Sequence, residues 1–117
     1  MVKDLSRVLR VADQIQRELA TLIQSEMADP RLRLVTLTGV EVTRDYSHAK
    51  VFFSVLNEKE SAQLAGEGLE HASSFLRSQL ATRIKLRVVP QLHFVYDESI
   101  ERGVRLSKLI DDAVGKI

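Results

Sequence analysis

Apolar residues recur at helical spacing over the first part of the chain. Between residues 5 and 27 they follow one another mostly at steps of three and four, which is the pattern of an amphipathic helix. These positions are Leu5, Val8, Leu9, Ala12, Ile15, Leu19, Leu22 and Ile23. Asp29-Pro30 ends the pattern, because a residue that precedes proline is disfavoured in the helical region. The sequence therefore predicts a first helix over residues 5–27 with one buried face.

The next two segments, residues 32–43 and 48–56, have the alternation of β-strands, and the polar residues 44–47 between them suit a turn. The second segment alternates cleanly, whereas the first changes parity at Thr38-Gly39. One extra residue there would bring four apolar positions to a single face, namely Val35, Leu37, Val40 and Val42. We therefore predict an antiparallel hairpin with a β-bulge centred on Gly39.

A second helical pattern begins after this hairpin. Its apolar face consists of Ala62, Ala65, Leu69, Ala72, Leu76, Leu80 and Ile84. Gly66 and Gly68 weaken the pattern, since glycine in a helix interior costs about 1 kcal/mol relative to alanine. Ser73-Ser74 favour a helix cap over a helix middle. We expect a kink or break at Ala72–Ser74 that divides the pattern into two helices.

A third strand opens at Pro90. It places Leu92, Phe94 and Tyr96 on one side and Gln91, His93 and Val95 on the other. The order helix, strand, strand, helix, helix, strand predicts an α+β fold in which helices cover one face of a three-stranded sheet. We assign residues 1–97 to this domain. Residues 98–117 have a weaker amphipathic pattern and are expected to form a C-terminal helix or a partly ordered tail.

The composition of the chain excludes several classes of function. The chain has 117 residues, no cysteine and a net charge of +1, which indicates one globular domain in a reducing cytoplasm. It contains no apolar run of membrane-spanning length, no signal peptide and no phosphate-loop or nucleophile motif. We therefore expect no membrane association, no catalysis, no cofactor, no metal and no small-molecule substrate. His48 and His93 share the outward parity of their strands, where we expect them to lie near each other and either to contact RNA or to face water.

Basic and acidic residues are concentrated in different segments of the chain. Residues 71–96 contain four basic side chains and no acid, whereas the preceding 14 residues contain four acids and one lysine. Arginine suits phosphate because its planar fork donates two hydrogen bonds. A helix that began near Phe75 would add free backbone N–H groups. The first helix also carries a basic and polar stripe. This stripe is either a solvated face or part of one surface with the basic residues of 71–96. These residues favour RNA binding through backbone and shape, with a protein-interaction or structural domain as the alternative.

Several segments, in order along nearly the whole chain, resemble the bacterial ribosome-binding factor A family. They are RVLRVADQIQREL at 7–19, DPR at 29–31, GVEVTRDYSHAKVFFSVLN at 39–57 and LRSQLATRIKLRVVPQLHFVYDES at 76–99. The resemblance implies a type II KH-like fold with an interrupted Ala-x-Gly kink in place of the usual GxxG loop. Here that kink corresponds to Ala72-Ser73-Ser74, with Ser74 where the family has glycine.

The resemblance also implies a function. It is that of a cytoplasmic, monomeric, non-catalytic factor that binds the immature 30S subunit, assists 16S rRNA maturation and 5′-end processing, and supports growth in the cold. The alternative is a KH-like binder of other structured RNA, or a protein-docking module on ribosomes. The expected phosphate contacts are Arg77, Arg83, Lys85 and Arg87, with Arg7, Arg10, Arg31, Arg33, Arg44 and Lys50 as secondary candidates.

Overall fold

The computed structural model describes residues 2–55 and 59–98, with the backbone alone for residues 2–5 and 59–60. Its elements are helix α1 (Val2–Ser25), a 3-10 turn (Pro30–Leu32), strands β1 (Val35–Val42) and β2 (His48–Val55), helix α2 (Lys59–Arg83) and strand β3 (Gln91–Tyr96). This order confirms the α+β fold. The predicted C-terminal helix or tail lies outside the described residues except for Glu98, and the domain boundary at residue 97 stays a prediction.

The three strands form one mixed sheet in the order β1-β2-β3. β1 and β2 are antiparallel, and β2 and β3 are parallel. Leu37 lies opposite Phe53 and Gly39 lies opposite Phe52, so Thr38 is an extra residue in β1. This confirms the predicted bulge, with the extra residue at Thr38, next to the predicted centre at Gly39. Because of it, all four apolar positions of β1 contribute to the core, namely Val35, Leu37, Val40 and Val42.

The core lies between the sheet and the two helices. Ile15, Leu19 and Leu22 of α1 and Leu76 of α2 are fully buried, as is Val51 at the centre of β2. Burial of such side chains is the main stabilising contribution to folding. One residue of the predicted α1 stripe does not belong to it: Leu9 is 61 % exposed. At steps of 3.6 residues it lies too far round the helix from Val8 and Ala12 to share their face.

The predicted break in the second helix is wrong, because α2 is one continuous helix. Among the described residues only Tyr46 has a positive φ, so the backbone at Ser74 does not turn as it would at a left-handed glycine. Ala72 and Leu76, on either side of Ser74, are buried in the same core. Burying one unbroken stripe outweighs the helix propensity of serine, which is about 0.5 kcal/mol worse than that of alanine. A bend within this continuous helix at Ala72–Ser74 stays a prediction.

Gly68 is a packing position. A Cβ atom there would lie 3.2 Å from Leu32 Cδ2 and 3.3 Å from the side chains of Arg31 and Asp29. Glycine therefore lets the 3-10 turn approach α2 closely. Asp29 holds that turn by accepting a hydrogen bond of 3.0 Å from the backbone N–H of Arg31.

Candidate nucleic-acid interface

Basic side chains from distant parts of the sequence meet at the C-terminal end of α2. A groove of about 800 Å³ lies between the first half of α1, the β1–β2 turn and the segment that joins α2 to β3. We call it the basic groove; its lining residues are Arg7, Val11, Gln14, Asp45, Tyr46, Arg83, Ile84, Lys85, Leu86, Arg87 and Val88. Arg7, Lys85 and Arg87 are exposed. Four predicted phosphate contacts are thus brought together in one place.

Arg83 differs from the other three, because its guanidinium already has partners. Its Nη2 lies 2.7 Å from Glu26 Oε1 and its Nη1 lies 3.3 Å from Glu18 Oε2. Glu18 belongs to α1 and Glu26 directly follows its last residue, so Arg83 joins the end of α2 to α1 and its C-terminal end. Its first role in this structure is to connect the helices, and it is less available to a phosphate than Lys85 or Arg87.

Arg77 lies on the other side of the α2–β3 segment. Its Nε and Nη2 donate to the carbonyl oxygen of Val89 at 3.2 and 2.9 Å. It lines a second groove of about 520 Å³ together with Ser74, Ser78 and Arg87. Since Arg87 lines both grooves, the basic surface continues from one to the other. The hydrogen bonds of Arg77 fix the segment that carries Arg87.

The helix start expected at Phe75 is absent because α2 is continuous there. The backbone N–H groups near Phe75 are therefore used within the helix and cannot bind a phosphate. An anion at this surface therefore has no helix N-terminus near Phe75 to bind to.

The secondary candidates other than Arg7 are scattered over the molecule. Four of them are exposed, namely Arg10, Arg33, Arg44 and Lys50. None of the four lines the basic groove or the second groove that contains Arg77. Lys50 lies on the open face of the sheet, in register with Glu41 of β1 and His93 of β3. Arg31 is paired with Asp29, with Nη2 2.7 Å from Oδ2 and Nε 3.0 Å from Oδ1. This pairing lowers the pKa of Asp29 and raises that of Arg31, chiefly through the side-chain hydrogen bond.

Tyr46 is a groove residue that the sequence pattern did not reveal. It sits in the β1–β2 turn with a φ of 62°, which is uncommon for a non-glycine residue. The turn is held by Asp45, whose Oδ1 accepts from Ser47 Oγ at 2.7 Å, Thr43 Oγ1 at 2.8 Å and the Ser47 backbone N–H at 3.1 Å. An Asp-Tyr-Ser sequence between two strands is the only local signal that could have indicated it. The turn brings an aromatic residue into the lining of the basic groove.

The same hydrogen bonds, with that from Ser47 the largest cause, lower the pKa of Asp45 to about 2. Asp45 is therefore ionised at neutral pH and is the acidic member of the groove lining. The groove remains positive, since Arg7, Lys85 and Arg87 outnumber it even when Arg83 is counted as neutralised by Glu18 and Glu26. An exposed cationic groove with an aromatic ring suits a phosphate backbone and an unstacked base.

His48 and His93 do lie together on the open face of the sheet. His48 Nδ1 is 2.9 Å from His93 Nε2, and the ring centroids are 5.1 Å apart. Among the described side chains, no group of three or more His, Asp or Glu residues is arranged to hold a metal ion. Neither of the described helices is long and apolar enough to cross a membrane.

Known proteins resemble this chain over nearly its whole length. The family model for ribosome-binding factor A matches residues 7–110. Ribosome-binding factor A of Nitrosomonas eutropha is 68 % identical over 116 residues, which cover 99 % of each chain. The Nitrosomonas europaea protein is 69 % identical over the same length and coverage.

Solved structures agree with the sequence match. The crystal structure of ribosome-binding factor A from Thermus thermophilus has a TM-score of 0.68 and 32 % identity, covering 76 % of this chain and 93 % of that one. A homology model of the Thermus thermophilus factor, fitted into a cryo-EM map of its complex with 30S, has a TM-score of 0.64 and 32 % identity, covering 78 % of this chain and 96 % of that one. The fold and the full-length sequence match point the same way: this chain belongs to the ribosome-binding factor A family.

Proposed function

We propose that this chain is a non-catalytic, cytoplasmic assembly factor that binds the immature 30S ribosomal subunit and assists maturation of its 16S rRNA, including processing of the 5′ end. The observation that carries the proposal is the meeting of Arg7, Lys85 and Arg87 in one groove of a ribosome-binding factor A family member. The Thermus thermophilus relative, fitted as a complex with 30S, supports the same partner for this chain.

The groove suggests how the factor acts. Lys85 and Arg87 contact phosphates of the rRNA, and Arg7 contacts a neighbouring phosphate from the α1 side. Tyr46 stacks on an unpaired base, since aromatic rings recognise bases that are splayed out of a helix. Such contacts hold the rRNA in a conformation that the mature subunit does not keep. The factor acts as a monomer and leaves once that conformation is lost.

Co-sedimentation with purified 30S subunits at several salt concentrations tests this proposal. We expect binding at low salt that weakens steadily as salt rises, because each phosphate contact releases counterions. The variant Arg87→Glu should bind more weakly and lower the slope of log K against log salt by about 1. Loss of 30S binding, together with normal folding, would place Arg87 at the interface.

The matched control is Arg17→Glu, which makes the same charge change on α1. Arg17 is highly exposed and pairs with Asp13 at 2.8 Å, outside the basic groove. Equal weakening by the two variants would show that net charge matters and the groove does not. No co-sedimentation at low salt would refute 30S binding, and equal affinity for unrelated structured RNA would favour a general RNA binder.

The rRNA-processing part of the proposal needs a separate test. Cells that lack the factor should accumulate 16S rRNA with unprocessed 5′ ends, most strongly in the cold. The wild-type chain should restore processing, and Arg87→Glu should restore it less well than Arg17→Glu. Full restoration by Arg87→Glu would separate 5′-end processing from the basic groove.

A further inference from the structure

Two histidines and a lysine lie together on the face of the sheet that is turned away from the helices. Ala49 and Val51 of β2 are buried in the core, so the residues that alternate with them point to the opposite face. Those residues are His48 and Lys50, and His93 of β3 is in register with Lys50. All three side chains are exposed. We call these three residues the sheet cluster.

The contact between the two histidine rings limits how many protons they carry. His48 Nδ1 lies 2.9 Å from His93 Nε2, which is a hydrogen-bond distance. One nitrogen must carry a proton and the other must offer a lone pair, so at least one ring is neutral while the contact exists. If both rings were cations, two N–H groups would face each other and the contact would be lost. An anion that accepts from both rings removes this obstacle and favours uptake of the last proton.

The charged groups around the histidine pair favour an anion. Lys50 adds a permanent positive charge beside His93. Glu41 of β1 is in register with Lys50, but within the described part of the chain these two side chains do not form an ion pair. In the β1–β2 turn, Arg44 and Asp45 are adjacent and of opposite charge. Both helices pack against the other face of the sheet. With both rings protonated, the three positive charges of the sheet cluster therefore outweigh Glu41.

The sheet cluster adjoins the basic groove. β2 begins at His48, directly after the turn that contains Tyr46, and β3 begins at Gln91, shortly after Val88. Tyr46 and Val88 both line the basic groove. A hydrogen bond of 2.9 Å from Gln91 N–H to Ser47 O joins the starts of the two strands. Since a residue spans at most about 3.6 Å, the Cα atoms of Tyr46 and His48 are no more than about 7 Å apart. An RNA strand that fills the groove can therefore reach the open face of the sheet.

We propose that the sheet cluster is a second phosphate site for the RNA that occupies the basic groove, and that filling it couples RNA binding to proton uptake. His48 and His93 turn away from each other and donate N–H groups to one phosphate, and Lys50 pairs with its charge. This inference rests on the proposed function, because the phosphate belongs to the same rRNA. Its consequence is that RNA affinity rises as the pH falls through the range in which histidine gains its charge.

The test measures the affinity of the fluorescently labelled full chain for purified 30S subunits by anisotropy, at one salt concentration and between about pH 8 and about pH 6. Uptake of one proton raises the affinity by at most about tenfold per pH unit. The ratio of the wild-type affinity to that of His93→Gln should rise about fivefold from the upper to the lower pH. This ratio cancels any effect of pH on the subunit. The matched control is His71→Gln, an exposed α2 residue outside the cluster, which should follow the wild type at every pH.

Lys50→Gln tests the permanent charge of the sheet cluster. It should weaken 30S binding about threefold at the lower pH, which is the range of a partly exposed charge pair. Its matched control is Arg17→Gln, which removes one positive charge from an exposed α1 residue outside both the cluster and the basic groove. This control should bind as the wild type does.

The proposal is overturned if the affinity ratio stays constant with pH, or if His71→Gln changes it as much as His93→Gln does. It is also overturned if Lys50→Gln and Arg17→Gln weaken binding equally. A purely structural role of the histidine pair would lower the free energy of unfolding of His93→Gln in urea and leave the ratio unchanged. Binding that depends on Arg87 and not on the histidines would overturn this inference and leave the proposed function intact. Absence of 30S binding at every pH would refute both.

Discussion

The structural role of Arg83 can be tested by measuring how much its ion pairs contribute to the free energy of unfolding. The stronger pair, Arg83–Glu26, has a distance of 2.7 Å, and its side chains are 30 % and 39 % exposed. The second, Arg83–Glu18, has a distance of 3.3 Å and exposures of 30 % and 32 %. Pairs of this kind are weakened by water but less so than fully exposed ones, so together they should contribute about 1 kcal/mol. Arg83→Ala should therefore lower the melting temperature by about 4 °C.

The measurement is a double-mutant cycle by urea unfolding, with Arg83→Ala, Glu26→Ala and the double variant. We expect a coupling free energy of roughly 0.5–1 kcal/mol. Asp13 and Arg17 provide the matched control cycle, because they form a pair at 2.8 Å whose side chains are 59 % and 78 % exposed. Their coupling should be about 0.3 kcal/mol, as for other exposed helix pairs. A coupling at Arg83–Glu26 no larger than that of the control would refute the structural role of Arg83.

Two further predictions concern the β1–β2 turn and the glycines of α2. Ser47→Ala should raise the pKa of Asp45 from about 2 toward the ordinary value of 3.8, because the Ser47 hydroxyl is the largest cause of the lowering. A lowered carboxyl pKa stabilises the fold above pH 3.8, and that contribution is lost as the pH falls toward 2, so the variant should lose less stability over this interval. Carbon NMR titration of the Asp45 carboxyl, with Ser78→Ala as control, checks this, and an unchanged midpoint would contradict it. Gly66→Ala should raise the free energy of unfolding by up to about 1 kcal/mol, as helix propensity predicts. Gly68→Ala should gain less or lose stability, because its Cβ would lie 3.2 Å from Leu32. Urea unfolding compares the two, and equal effects would show that the packing at Gly68 is not tight.

Much of the fold followed from local pattern. The parity change at Thr38-Gly39 predicted the bulge, because one extra residue is the direct way to bring four apolar side chains of β1 to one face. The outward parity of His48 and His93 predicted their closeness, since they lie on paired neighbouring strands. Burial on one side of a strand or helix produces a periodic pattern of apolar residues in the sequence. That pattern was sufficient to predict the bulge and the face on which each histidine lies.

The break at Ala72–Ser74 was predicted from local preference and was wrong. Serine and glycine weaken a helix by about 1 kcal/mol or less per residue. Ala72 and Leu76 are buried in one core, and this burial keeps the helix continuous across Ser74. A sequence shows the local preference, but it does not show how much burial opposes it.

The candidate site depended still more on tertiary structure. The sequence by itself determined that residues 71–96 carry basic side chains without acids, and that Arg77, Lys85 and Arg87 had no neutralising partner nearby in the chain. Only the fold decided that Arg83 meets carboxylates 57 and 65 residues away. Only the fold placed Tyr46 and Arg87 in the lining of one groove. The physical reason is range: periodicity reports which face of an element is buried, whereas charge pairing and groove formation depend on which elements meet once that burial is complete.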